Sequence, residues 1–170
     1  MSWFVLKAGR RERKAVELLV AEAMEHYLPT HIVAEERHGK RQLVERPLIS
    51  NMLLVNAPYE KVNAFVRKND FIHFAFRRTD TGYAILEVPD DEVQAFRQAV
   101  DEMAGDLRYY VPEDIFIKRG TRVRIVGGPL NGKEGVILRD KAEGRPEFVI
   151  SFAFLGALAT HISPEYIQIL

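Results

Sequence analysis

At 170 residues, with 47% hydrophobic and 28% charged side chains, the chain has the length for one domain or two small ones and ample apolar content for a buried core. Its 24 basic and 24 acidic residues balance to zero net charge, so the molecule as a whole attracts no polyanion and any nucleic-acid contact has to come from a local patch. Cysteine is absent, which excludes disulfides and thiolate-ligated metal sites. The opening "MSWFVLKAGRR" carries its charges after a short apolar run instead of before it, so no secretory leader is expected and a cytoplasmic location is the default.

In chain order, Trp3 to Lys7 reads as a strand. Val16, Leu19, Val20 and Ala23 then recur at i, i+3, i+4 and i+7 as one helix face. Two polar strands follow, Ile32 to Glu36 and Gln42 to Glu45. Pro47 opens "PLISNMLLV", an apolar run expected as a central strand buried on both faces. A second helix begins with Pro58 in its first turn and buries Val62, Phe65 and Val66. Strands near Phe71 to Phe76 and Tyr83 to Val88 lead to a third helix. There Asp90, Asp91 and Glu92 complement the positive end of the helix dipole, and Val93, Phe96, Val100 and Met103 form the apolar stripe.

Composition breaks after Met103. "GDLRYYVPEDIFIKRG" mixes glycine, proline and charge with Tyr109, Tyr110 and Phe116, so residues 104–117 are expected as a linker between a domain at 1–103 and another at 118–170. In the second domain Val123 and Ile125 point to one face of a strand and Arg122 and Arg124 to the other. Gly127, Gly128, Pro129 and Gly132 punctuate the chain before Val136 and Ile137 resume the pattern. Phe148 to Ile162 is shorter than the roughly 20 residues that span a bilayer and reads as paired strands, so no membrane partner is expected. For so small a unit, a curled five-strand barrel is the economical way to remove sheet edges. The expected fold class is therefore α+β: an N-terminal α/β sandwich with an antiparallel sheet, then a small SH3-like β-barrel.

Catalytic signals are lacking. The five histidines, at positions 26, 31, 38, 73 and 161, show no metal-ligand spacing. "GGPLNGKEG" lacks the glycine, lysine and hydroxyl spacing of a P-loop, and Asp90 and Asp91 are explained by their helix end. No enzyme activity, cofactor or metal is expected.

Three segments, "WFVLKAGRRERKAVELL", "VERPLISNMLLV" and "GTRVRIVGGPLNGKEGVI", in this order and spacing, resemble the NusG family of transcription elongation factors, the last of them its KOW motif. Ser50, Asn51, Met52 and Leu54 stand where that family usually has proline-glycine and aromatic residues. With the short length, this looks most like the UpxY-type antiterminators of capsular polysaccharide operons. The resemblance implies an N-terminal domain that binds RNA polymerase and suppresses pausing or termination, and a KOW domain that recruits a ribosomal or regulatory protein. It places polymerase or interdomain contacts at Met52, Leu54, Val93 and Phe96, and the KOW partner surface at Phe154, Leu155, Ala157 and Leu158. Ala157 replaces an arginine often seen there, which argues against the family's housekeeping partners.

Arg10, Arg11, Arg13 and Lys14 put four cations at the start of the first helix, where the dipole repels each by a few tenths of a kcal/mol. Arginines beside unpaired helix N–H groups suit phosphate, and with the family's contacts nearby the expectation is the non-template DNA strand. Arg122, Arg124 and Lys133 suit contact with nascent RNA and equally suit a solvated strand face. The competing reading is an RNA-binding or ribosome-associated KOW protein that does not engage polymerase. It requires a basic stripe with stacking aromatics among Phe148, Phe152, Phe154 and Tyr166.

Overall fold

The computed structural model describes residues 2–103, 106–112, 120–139 and 145–170. The chain divides into two compact units, Met1–Gln94 and Ala95–Leu170.

The first unit is built on β1 (Ser2–Lys7), whose Trp3, Phe4, Val5 and Leu6 are all buried. Four consecutive buried side chains require cover on both faces of the strand, which makes it central. Its neighbours are short: β2 (Glu25–Tyr27), β5 (Leu53–Asn56), β6 (His73–Phe74) and β9 (Glu87–Pro89). The sheet runs β2-β5-β1-β6, with β9 also on β1, and every pairing is antiparallel. The apolar run after Pro47 yields only Leu53–Asn56 as strand. The expected longer strand is interrupted at Asn51, whose φ of 62° is incompatible with an extended backbone.

Helices α1 (Glu12–Ala21) and α2 (Tyr59–Lys68) contribute Ala15, Leu19, Val62 and Phe65 to a core with Phe4, Leu6, Leu53, Val55 and Ile72. Burying each of the larger side chains stabilises the unit by about 1.5–3 kcal/mol. The buried face of α1 is Glu12, Ala15 and Leu19, with Leu18 alongside. The expected stripe is displaced: Val20 is 63% exposed and Ala23 lies beyond the helix with φ 52°. Two hairpins stand apart from the sheet, β3 (Thr30–Arg37) with β4 (Lys40–Pro47), and β7 (Phe76–Thr79) with β8 (Gly82–Ile85). Helix α3 (Asp90–Glu102) buries the expected Val93, Phe96 and Val100, with Met103 following, and Asp90 accepts the Trp3 indole N–H at 2.8 Å.

The second unit contains an antiparallel sheet of six strands in the order β10-β14-β13-β12-β11-β15. These are β10 (Arg108–Tyr110), β11 (Thr121–Ile125), β12 (Glu134–Arg139), β13 (Pro146–Phe152), β14 (Gly156–His161) and β15 (Ile167–Ile169). The sheet has one strand more than the expected five, and β10 and β15 stand at its two ends. The additional strand β10 lies inside the stretch expected as linker and pairs with β14; Phe116 of that stretch lies outside the described residues. Val123 and Ile125 are buried and Arg122 and Arg124 exposed, as the alternation predicts, and Phe96 packs edge-on against Phe152 at 5.1 Å between ring centroids. Phe148, Val149, Leu155, Ala157, Leu158 and Ala159 are buried.

Within this second unit a polar chain runs along the sheet end. Glu147, 4% exposed, accepts the Tyr110 hydroxyl at 2.5 Å and sits 2.8 Å from the Arg108 guanidinium. Arg108 donates to His161 Nε2 at 2.8 Å. Because a guanidinium can only donate, that imidazole nitrogen is the acceptor, and Nδ1–H is left to donate to Asp106 at 2.6 Å. Partial burial pushes the Asp106 carboxyl up, but the His161 backbone N–H and imidazole, with Arg108 nearby, hold it below the usual carboxylate range.

Candidate functional site: a basic turn locked by two side chains

β1 ends at Lys7, and the chain reverses through Ala8, Gly9 and Arg10 into α1. Gly9 (φ 55°) and Arg10 (φ 67°) both occupy the left-handed region, which suits glycine and strains arginine by about 1–2 kcal/mol. The strain is offset by a reciprocal lock. Asn51 Oδ1 accepts the Gly9 N–H at 2.6 Å, and Glu12 Oε1 accepts the Asn51 N–H at 2.6 Å. Glu12 is only 5% exposed although it opens a surface helix. Asparagine is among the residues that tolerate positive φ, which explains its use at position 51.

The lock sets the directions of the four cations, all of them exposed. The Arg11 guanidinium lies 4.2 Å from the centroid of the Phe71 ring, a cation–π contact. Arg13 donates to the Glu45 carbonyl at 2.9 Å, and Lys14 lies 3.6 Å from Glu17. The Arg10 side chain makes no hydrogen bond or ion pair among the described residues. The first-turn amides of a helix have no intrahelical partners, and in α1 no capping side chain takes them up. The turn therefore presents an unpaired arginine beside three tethered cations at a positive helix end, an arrangement that suits phosphate.

Replacing Glu12 by alanine removes the acceptor for the Asn51 N–H and is expected to cost about 2 kcal/mol. Urea unfolding of the variant should show this loss. A cost under about 0.5 kcal/mol would mean that water replaces the carboxyl and that the lock contributes little.

The expected apolar docking group is corrected. Leu54, Val93 and Phe96 are fully buried, and Met52 is half-buried. Leu54 sits on a strand flanked by β1 and β2, and the α3 stripe to which Val93 and Phe96 belong is buried. Besides Val20 and Tyr59 on the helices, the exposed large apolar side chains of the first unit lie on the hairpins. Ile32, Ala34 and Leu43 share one face of β3–β4, with Ile32 58% and Leu43 78% exposed, and Phe76 and Tyr83 are exposed on β7–β8. Sequence reading gave these segments as strands and did not show which of their faces would be left uncovered.

Leu155, Ala157 and Leu158, expected as a partner surface, are buried too, while Phe154 is half-buried at the β13–β14 turn. Arg124 is held by Glu134 and Lys133 by Glu102. Of the four aromatics the RNA-binding reading requires, Phe148 is buried, Phe152 and Phe154 are half-buried, and only Tyr166 is exposed, at 37%. Among the described residues no group of three or more histidines and carboxylates is placed to hold a metal ion, and no helix is long and apolar enough to cross a membrane.

The family model described as transcription termination factor NusG matches residues 1–97. That is more than half of the chain, and the chain belongs to the NusG family of transcription termination and antitermination factors. It is 24% identical over 152 residues to the transcription termination/antitermination protein NusG of Borreliella burgdorferi, covering 80% of each chain. A solved structure concerned with domain interaction in Thermotoga maritima NusG is 17% identical, with a TM-score of 0.48 over 100% of this chain and 98% of the other.

Proposed function

We propose that the chain is a NusG-type antitermination factor that binds RNA polymerase through its first unit and suppresses pausing or termination at particular operons, without catalysing a reaction. Membership of the family through residues 1–97 is the observation that carries this reading. In this reading residues 118–170, within the second unit, are a KOW domain, an SH3-like barrel that engages a ribosomal or regulatory protein. The factor acts by binding the elongating conformation more tightly than the paused one, a preference of about 1.4 kcal/mol shifting the balance tenfold. The substitutions at Ser50, Asn51, Met52 and Leu54 fit an operon-restricted relative of the UpxY kind.

Contact with polymerase is assigned to the exposed hairpin face of Ile32, Ala34 and Leu43 with half-buried Met52, since Leu54, Val93 and Phe96 are covered. Contact with the non-template strand is assigned to Arg10, Arg11, Arg13 and Lys14. The test is titration of the full chain against an RNA polymerase elongation complex, naked RNA and naked DNA at one salt concentration. Saturable preference for the elongation complex is expected. Reversing Arg10 and Arg11 to glutamate should weaken crosslinking to the non-template strand by tenfold or more. Binding to RNA with no preference for polymerase would establish the ribosome-associated or RNA-binding alternative instead.

A further inference from the structure

Hairpin β7–β8 carries two aromatic rings that no core claims. Phe76 is 59% exposed and Tyr83 77% exposed, and neither makes a ring contact among the described residues. The pairing Phe76↔Ile85 and Arg78↔Tyr83 puts Phe76, Arg78, Tyr83 and Ile85 on one face, with Arg77, Thr79, Gly82 and Ala84 on the other. Arg77 and Arg78 are exposed, and their side chains form no ion pair among the described residues. The one acidic residue of the hairpin, Asp80, lies in the turn at its tip.

The hairpin is firmly rooted. Ala75 donates to the Val5 carbonyl at 2.9 Å, Val5 donates to the Leu86 carbonyl at 3.2 Å, and Leu86 donates to the Ala75 carbonyl at 2.8 Å. Both legs are thereby bonded to or beside the buried central strand, so the rings are displayed from a fixed base.

Phe76 and Tyr83 are diagonal cross-strand neighbours, a relation that sets their backbones about 7–8 Å apart. That spacing is twice the roughly 3.4 Å rise of a stacked nucleotide, which leaves room for one base between the rings. Arg78, directly opposite Tyr83, supplies the positive charge that a backbone phosphate needs. We propose that this face is a stacking platform for single-stranded nucleic acid, with Phe76 and Tyr83 gripping a base and Arg78 holding the adjoining phosphate. A protein-docking patch is the competing occupant. Two exposed rings beside an arginine that forms no ion pair among the described residues, with Ile85 the one aliphatic member of the face, favour nucleic acid. The site is separate from the basic turn at Arg10 to Lys14 and does not depend on polymerase binding.

The full chain is to be titrated by fluorescence anisotropy against labelled oligothymidylate and oligouridylate of about twelve nucleotides, the two arms distinguishing DNA from RNA. Phe76→Ala and Tyr83→Ala are each expected to weaken binding about tenfold. Phe76→Tyr and Tyr83→Phe should retain it, and Arg78→Ala should lower the salt slope by about 0.7. An oligonucleotide carrying 5-iodouracil should photo-crosslink to Tyr83 or Phe76, located by mass spectrometry. Because both rings are exposed, the alanine variants are expected to keep the circular dichroism of the parent. Unchanged oligonucleotide affinity in the double alanine variant overturns the proposal, as does crosslinking confined to the Arg10 to Lys14 turn or loss only of a bound protein. Failure of the chain to bind polymerase, with ring-dependent oligonucleotide binding intact, would reject the antitermination reading and leave this one standing.

Discussion

Gly156→Ala is expected to destabilise the second unit by about 3 kcal/mol. A Cβ on Gly156 would lie 2.4 Å from the Tyr110 carbonyl oxygen and 2.7 Å from the Tyr109 hydroxyl, and φ at this position is +83°. The tyrosine hydroxyl can swing aside, but the carbonyl belongs to backbone. It is in β10, held in register with Ala157, Leu158 and Ala159 of β14, so relief requires the two strands to part. Gly132 is an internal control: it has φ +85° and nothing within 4 Å of its would-be Cβ. Alanine there bears the left-handed strain of about 1 kcal/mol and no collision. Hydrogen exchange read by mass spectrometry should show protection lost in β10 and β14 for Gly156→Ala and kept for Gly132→Ala. If both variants cost the same in urea unfolding, the collision is being absorbed and β10 is less firmly seated than its pairing implies.

Glu147→Ala is the second large effect. The carboxylate is buried between Tyr110 and Arg108 in the chain that continues to His161 and Asp106, and its loss removes the acceptor of the Tyr110 hydroxyl and the anionic partner of Arg108. Breaking a fully buried ion pair from one side costs about 3–5 kcal/mol; with the Arg108 side chain 37% exposed, water recovers part of this and about 2–3 kcal/mol is expected. Glu147→Gln keeps an acceptor for the Tyr110 hydroxyl and should cost about 1 kcal/mol. The ordering alanine, then glutamine, then parent in thermal melting is the result to look for. Equal losses for the two variants would show that a neutral acceptor cannot stand in for the carboxylate and that its charge beside Arg108 carries the effect.

Much of the fold was legible because its signals were local. The α3 stripe at Val93, Phe96, Val100 and Met103 is buried throughout, and the alternation of Arg122, Val123, Arg124 and Ile125 sorts into exposed and buried faces as read. Two departures have the same origin. In α1 an apolar stripe at Val16, Leu19, Val20 and Ala23 had the right period and the wrong phase, since periodicity cannot reveal that Glu12 would be drawn inward by the Asn51 amide 39 residues away. The run after Pro47 looked like uninterrupted strand because hydropathy is blind to φ, and Asn51 breaks it.

The candidate site was legible as composition and not as geometry. Four cations near position 10 are visible in the sequence, whereas the Glu12 and Asn51 lock and the Arg11–Phe71 contact come from tertiary structure. Burial was the least accessible property. Leu54, Leu155 and Leu158 were chosen by family position, and their exposure depends on which strands flank them. Phe76 and Tyr83 escaped notice because aromatic residues on a strand ordinarily signal core, and nothing in "FRRTDTGYAI" tells that the two strands form a hairpin of their own.

The position of β1 has a consequence for biosynthesis. It is the strand on which β5, β6 and β9 all pair, yet it is translated first, and 87 residues separate Trp3 from its partner Asp90. At about 5–20 residues per second, Trp3, Phe4, Val5 and Leu6 wait roughly 4 to 18 s before the last strand of their sheet exists. Until β6 is made the nascent chain displays an apolar segment with no native neighbour on one edge, and until β9 is made that edge is only half paired, a natural substrate for a ribosome-bound chaperone. The hairpins, whose contacts are local, close in about 1–10 μs once made. Folding of the first unit is thus timed by translation, with its centre completed last.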